Sequence, residues 1–188
     1  IKEYFGTIPS GETFPPLTIR DPEPAGEKRF IVKRKDAPNL MTIAFKTPEV
    51  GHPRLFALDI AEGVLNGRSG RLYKRLVEEE KLAVSVRAAN SPNKYVSEFS
   101  ISVQLRPDAS LEKAEKIIWE ELERLKNEPV SLREFQKVKN NSYASIVRSL
   151  RDMENVATML AWYEIFGDYK IFLSWAEKLD SVSVENEI

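Results

Sequence analysis

The sequence contains no cysteine and only one histidine, His52, among its 188 residues. The lack of cysteine excludes disulfides, thiol nucleophiles and thiolate zinc sites. A catalytic zinc ion is usually held by three side chains that include histidine or cysteine, and a serine triad would have to use His52. We interpret His52, between Gly51 and Pro53, as a turn residue. The chain is therefore predicted to hold no catalytic residue and no metal site.

An excess of charge is also missing, because 28 basic residues nearly balance 29 acidic ones. Proteins that bind nucleic acid or anionic membranes usually carry a clear basic excess, so neither partner is expected. No apolar run is long enough to span a membrane. Hydrophobic residues make up 42% of the chain, a typical share for a globular domain with a core.

Proline marks the expected boundary between a connector and a domain. Five prolines lie between positions 9 and 24, and such density favours an extended strap over a helix. We predict an inter-domain connector over residues 1–26 and a domain over residues 27–188. Ser181 to Glu185 is typical of the start of another helix, so we expect the domain to be truncated at its C-terminus.

The hydrophobic periodicity of residues 27–188 predicts an α+β fold. Strands are expected where apolar residues alternate, and helices where they recur every three or four residues. The predicted strands cover residues 27–33, 40–47, 82–88 and 95–105. The predicted helices cover residues 53–65, a short segment capped by Ser69, and residues 111–125, 131–150, 153–166 and 170–179. This order indicates a two-layer sandwich with a largely antiparallel sheet and helices packed on one face.

Four segments carry a family resemblance, in the same order along the chain. They are residues 4–11 followed by Pro15-Pro16, residues 52–65, Gly67-Arg68-Ser69-Gly70-Arg71-Leu72-Tyr73-Lys74, and residues 129–140. Together they resemble the C-terminal, non-catalytic domain of insulinase and mitochondrial-processing-peptidase-like zinc metallopeptidases, the pitrilysin-type family, in its bacterial branch. The segment Gly67 to Lys74 is the most specific of the four.

The resemblance implies a division of labour between two halves. In this family the N-terminal half carries an inverted His-x-x-Glu-His zinc motif, and the halves close like a clamshell around an extended peptide. The present chain lacks that motif, so zinc is expected in the other half or on a partner subunit. The chain would then form the wall and closure of the chamber. The alternative is a structural or assembly subunit of the same fold with no proteolytic role.

Six residues of the signature region are candidates for the substrate chamber or an interface: Ser69, Arg71, Arg75, Val77, Val84 and Ser85. Many relatives carry an arginine and a tyrosine seven residues apart that contact the substrate backbone. Val77 and Val84 stand at the matching positions, and neither can take that hydrogen-bonding role. Arg71 and Arg75 would line the chamber or form a solvated helix face. The resemblance leaves the compartment open between bacterial cytoplasm and periplasm.

Overall fold

The computed structural model describes residues 2–9, 11–12, 15, 22 and 24–182. The chain divides into two units, Ile1–Phe30 and Ile31–Ile188. In the first unit, helix α1 (Lys2–Phe5) forms one exposed turn, and the other described residues have no regular secondary structure. The division into a connector over residues 1–26 and a domain over residues 27–188 stays a prediction.

A three-stranded antiparallel sheet lies at the centre of the second unit. Its strands are β1 (Leu40–Thr47), β2 (Ala83–Ser91) and β3 (Ser97–Leu105), in the order β1-β3-β2. The face of β3 that packs against the core carries every second residue, because side chains alternate along a strand. These buried residues are Phe99, Ile101, Val103 and Leu105.

Helices make up the other regular elements in the described part of this unit. They are α2 (Arg54–Leu65), α3 (Arg71–Tyr73), the π-helix Lys74–Glu79, α4 (Leu111–Asn127), α5 (Leu132–Ser149), α6 (Met153–Phe166), α7 (Lys170–Leu173) and α8 (Trp175–Ser181). Ser110 caps α4 by accepting a hydrogen bond from the Lys113 amide at 3.1 Å. Ser131 and Glu134 form a reciprocal capping box at the start of α5. The predicted α+β fold is confirmed.

The core consists of two clusters of buried apolar side chains. One joins the sheet to α4 and the π-helix, and includes Ile101, Ile118 and Leu76. The other joins α2, α5 and α8, and includes Ile60, Val138 and Leu179. No helix of the described ranges is long and apolar enough to cross a membrane.

Three local predictions were wrong or fall outside the described residues. Residues 27–33 form no strand, and Phe30 is 84% exposed, because no neighbouring strand pairs with them. The helix predicted over residues 170–179 is broken at Ser174 into α7 and α8. The helix expected from Ser181 onward cannot be compared beyond residue 182, since residues 183–188 lie outside the described residues.

Candidate functional site

The signature region begins with a tight turn between α2 and α3. Gly67 adopts φ +76°, a left-handed conformation that favours glycine and often follows the end of a helix. At Gly70, an added β carbon would lie 2.2 Å from the Asn66 carbonyl oxygen, so only glycine fits. Gly70, rather than the predicted Ser69, precedes the first residue of α3. The chain then continues as the π-helix Lys74–Glu79, a geometry that often marks functional sites.

Ser69 and Arg71 connect this turn to the start of α5. The Arg71 guanidinium donates from Nε and Nη2 to the two carboxylate oxygens of Glu134, at 2.9 and 3.0 Å. This paired geometry is the strongest form of an arginine–carboxylate contact. It lowers the pKa of Glu134 to about 2, and the Ser131 side chain adds to the effect. The Ser69 hydroxyl lies 3.1 Å from Lys137 Nζ, which donates to it.

Arg75 connects the π-helix to α4 through a buried carboxylate. Its Nη1 donates to Glu121 Oε1 at 3.1 Å, and its Nη2 donates to Glu120 Oε2 at 3.0 Å. Glu121 is fully buried, and Arg124 Nη1 also lies 3.3 Å from its carboxylate. The guanidinium groups of Arg75 and Arg124 thus compensate the negative charge of the Glu121 carboxylate, which is buried away from water. Glu121 was missed in the sequence, although it interrupts the apolar stripe of α4 between Ile118 and Leu125.

The two arginines therefore hold helices together instead of forming a solvated face. The side chain of Arg71 is only 12% exposed, and all the contacts of Arg71 and Arg75 described above are to acidic residues of α4 and α5. This arrangement fixes the position of the π-helix relative to the two long helices. Whether these residues also line a substrate chamber stays a prediction.

Of the other three candidates, one is partly buried in the π-helix and two are exposed in β2. Val77, in the π-helix, is partly buried against the core. The pairing of β2 with β3 shifts between Ala83 and Ser85, so Val84 is the extra residue of a β-bulge. Val84 is 54% exposed as a result, and Ser85 is exposed beside it. The regular alternation predicted through Val84 was wrong at this residue, because a bulge reverses the side-chain direction.

Side chains of α2 and of Asn66, the residue that follows it, cover part of the outer edge of β2. Asn66 accepts from the Ala88 amide at 2.8 Å and donates to the Ala88 carbonyl oxygen at 2.7 Å. The Glu62 carboxylate accepts a hydrogen bond from the backbone N–H of Asn90 at 2.9 Å. Outward-pointing backbone groups alternate along an antiparallel strand, so Val86 presents its N–H and C=O on the same edge. No contact between described residues occupies those two groups of Val86.

A polar cluster lies behind this edge, on the side of α2 that faces β2. Asp59 Oδ1 accepts a hydrogen bond from Asn90 Nδ2 at 2.7 Å. Burial raises the pKa of Asp59 to about 6, although the bond from Asn90 lowers it and Glu62 raises it further. Burial also raises the pKa of Glu62. Both carboxylates are partly buried, because β2 covers them.

The residues present do not fit a catalytic zinc ion. Within the described ranges, no group of three or more histidine, cysteine, aspartate or glutamate side chains could hold a metal. His52 lies in the turn before α2, and its Nδ1 accepts a hydrogen bond from the Arg54 amide at 3.2 Å. With one histidine and no cysteine in the whole sequence, the usual zinc ligands are lacking.

Residues 1–142 match the family described as the peptidase M16 inactive domain. The chain belongs to this family. The resemblance to the non-catalytic domain of zinc metallopeptidases is thereby confirmed.

Among its relatives, the zinc protease PqqE of Helicobacter pylori is 26% identical, over 99% of this chain and 44% of that protease. The crystal structure of a protease from Helicobacter pylori has the same fold, with a TM-score of 0.91 and 23% identity over 97% of this chain and 45% of that one. An inactive peptidase domain from Bordetella parapertussis is 25% identical, with a TM-score of 0.72 over 81% of this chain and 82% of that one. This chain thus spans less than half the length of PqqE and of the Helicobacter pylori protease in the crystal structure.

Proposed function

We propose that this M16 domain is the non-catalytic half of a two-domain zinc metallopeptidase. The observation that carries the proposal is its membership in a family of inactive peptidase domains, together with its lack of zinc ligands. The zinc-carrying half belongs to the rest of the same polypeptide or to a partner subunit. Activation of water by zinc, and hence peptide hydrolysis, is the task of that other half.

The role proposed for this half is to form the wall and closure of a clamshell chamber that holds an extended peptide. The uncovered part of the β2 edge supports this role, because extended peptides bind strand edges through backbone hydrogen bonds. Val84 and Ser85 are exposed on the strand beside the free backbone groups of Val86. The ion pairs of Arg71 and Arg75 give this wall rigid support from α4 and α5.

The proposal is tested by reconstitution. The tag-free chain is analysed for zinc and assayed with fluorogenic peptides, alone and after mixing with the zinc-carrying unit of the same or a neighbouring gene. We expect no stoichiometric zinc and no cleavage for the chain alone, and a large rise in cleavage by the mixture. A mixture in which the motif glutamate of the zinc-carrying unit is replaced by glutamine serves as the control.

Two results would contradict the proposal. One is stoichiometric zinc, or cleavage, in the isolated chain. The other is a complex that forms but hydrolyses no peptide, which would favour a structural or assembly subunit with the same fold.

A further inference from the structure

The side chain of Asn66 meets the edge of β2 in the same way as a backbone amide of a neighbouring strand would. Its Oδ1 accepts from the Ala88 N–H at 2.8 Å, and its Nδ2 donates to the Ala88 carbonyl oxygen at 2.7 Å. A side-chain amide carries both a donor and an acceptor, so one asparagine satisfies both outward groups of Ala88. No incoming strand can pair with Ala88 while Asn66 stays in place.

The turn after α2 holds Asn66 in this position. The Asn66 backbone N–H donates to the Glu62 carbonyl oxygen at 3.0 Å, so the helix ends at the residue that meets β2. The chain then reverses direction, and the Gly70 N–H donates to the Gly67 carbonyl oxygen at 2.9 Å. An added β carbon at Gly70 would lie 2.2 Å from the Asn66 carbonyl oxygen. The two glycines of the signature region thus allow a compact turn that fixes the backbone of Asn66.

The closed part of the edge continues beyond Ala88. Outward-pointing backbone groups occur at every second residue of β2, and the next such N–H, that of Asn90, donates to Glu62 Oε2 at 2.9 Å. Ala88 is fully buried, whereas Val86 is only partly buried and its outward groups have no hydrogen-bond partner among the described residues. The border between the closed and the open part of the edge therefore lies between Ala88 and Val86, and Asn66 forms it.

We propose that Asn66 is a specificity-determining residue that ends the backbone pairing of an extended peptide substrate with β2 at Val86. The inference rests on the proposed function, in which an extended peptide binds this edge. A peptide that continued along the strand would have to displace both hydrogen bonds between Asn66 and Ala88. The substrate must therefore leave the strand at this point, which limits how many of its residues are held and where they lie.

The test is an N-methyl scan of one internally quenched peptide, cleaved by the mixture of this chain and the zinc-carrying unit. Each backbone nitrogen of the peptide is methylated in turn, which removes one hydrogen-bond donor at a time. Asn66→Ala opens both outward groups of Ala88. Asn66→Asp is the matched control, because it fills the same space and still accepts from the Ala88 N–H but loses the donor to the carbonyl oxygen. KM and kcat are measured separately, and thermal unfolding reports the stability of each variant.

In the wild type we expect methylation to raise KM at the peptide residue that pairs with Val86. In Asn66→Ala a further position, two residues along the peptide, should become sensitive, with a rise in KM of about two- to tenfold. The kcat for the unmethylated peptide should not change. Asn66→Asp should be less stable without gaining the further position. If Asn66→Ala does not fold, Asn66→Ser is scanned in its place, since a single hydroxyl cannot satisfy both Ala88 groups at once as the amide does.

The possible failures are distinguishable. The same sensitive positions in wild type and Asn66→Ala would overturn the role of Asn66 and leave peptide pairing with β2 intact. The further position appearing in Asn66→Asp as well would also overturn it, because lost stability would then explain the change. Cleavage with no sensitive position in any variant would exclude pairing with β2, and this inference with it, while the chain remained the non-catalytic half. A mixture that cleaves no peptide would overturn the proposed function itself.

Discussion

Replacing Asp59 with asparagine should stabilise the domain above pH 6. The substitution keeps an oxygen that can accept the hydrogen bond from Asn90 Nδ2, now 2.7 Å from Asp59 Oδ1, and it removes a charge from a partly buried site. Burial raises the pKa of Asp59 from 3.8 to about 6 in the folded chain. The folded state therefore holds a proton that the unfolded state has lost between these two pH values.

The sign of the effect follows from proton linkage. Because the folded state binds the proton more tightly, the wild type loses stability as the pH rises from 3.8 to about 6, and the full cost persists above pH 6. At about 1.4 kcal/mol for each pH unit, the upper limit is about 3 kcal/mol. Residual contact with water reduces the expected gain of Asp59→Asn at pH 8 to about 1–2 kcal/mol.

The assay is thermal unfolding of wild type and variant at pH 4 and pH 8. For a chain of this length, the gain at pH 8 corresponds to a rise in unfolding temperature of about 2–8 °C. Near pH 4 the two proteins should differ little, since folded Asp59 is then mostly protonated. Asp108→Asn, which removes an exposed carboxylate, is the matched control and should have little effect at either pH. A destabilised Asp59→Asn at pH 8, or the same shift at both pH values, would refute the reasoning.

Two further substitutions test the packing of α2 and the edge of β2. An alanine β carbon at Gly63 would lie 2.4 Å from Val138 Cγ1, so Gly63→Ala should destabilise the domain by about 1–3 kcal/mol in chemical denaturation. A Val138→Ala background removes both Cγ atoms and leaves the Val138 Cβ 3.1 Å from the added carbon, so the same substitution should cost clearly less there; equal costs in both backgrounds would exclude the clash. Val86→Pro removes the free outward N–H and should raise the KM of the reconstituted peptidase severalfold, whereas Val86→Ala keeps that N–H and controls for lost side-chain packing. Equal KM values for these two variants would argue against peptide pairing at this edge.

Local signals in the sequence predicted the regular parts of the fold. The alternation along β3 is strict because one face of the strand is buried, so the buried residues from Phe99 to Leu105 could be identified directly. The capping box of Ser131 and Glu134 lies within a single turn and needs no tertiary information. The family resemblance, in turn, identified the signature region.

Contacts between residues that lie far apart along the sequence could not be predicted from such local signals. Arg71 meets Glu134 across 63 positions, and Asp59 meets Asn90 across 31. No periodicity reports which carboxylate a given arginine or asparagine will reach. The bulge at Val84 was missed because an inserted residue breaks the alternation on which the strand prediction depends.

The partial cover over the β2 edge bears on aggregation as well as on binding. Open strand edges invite sheets from other molecules to join, and proteins often block them with polar side chains. Here Asn66 and Glu62 block the strand at Ala88 and Asn90, and within the described residues a short window at Val86 has no hydrogen-bond partner. Such a window is long enough for a few backbone hydrogen bonds to a single peptide and too short to nucleate a continuous intermolecular sheet.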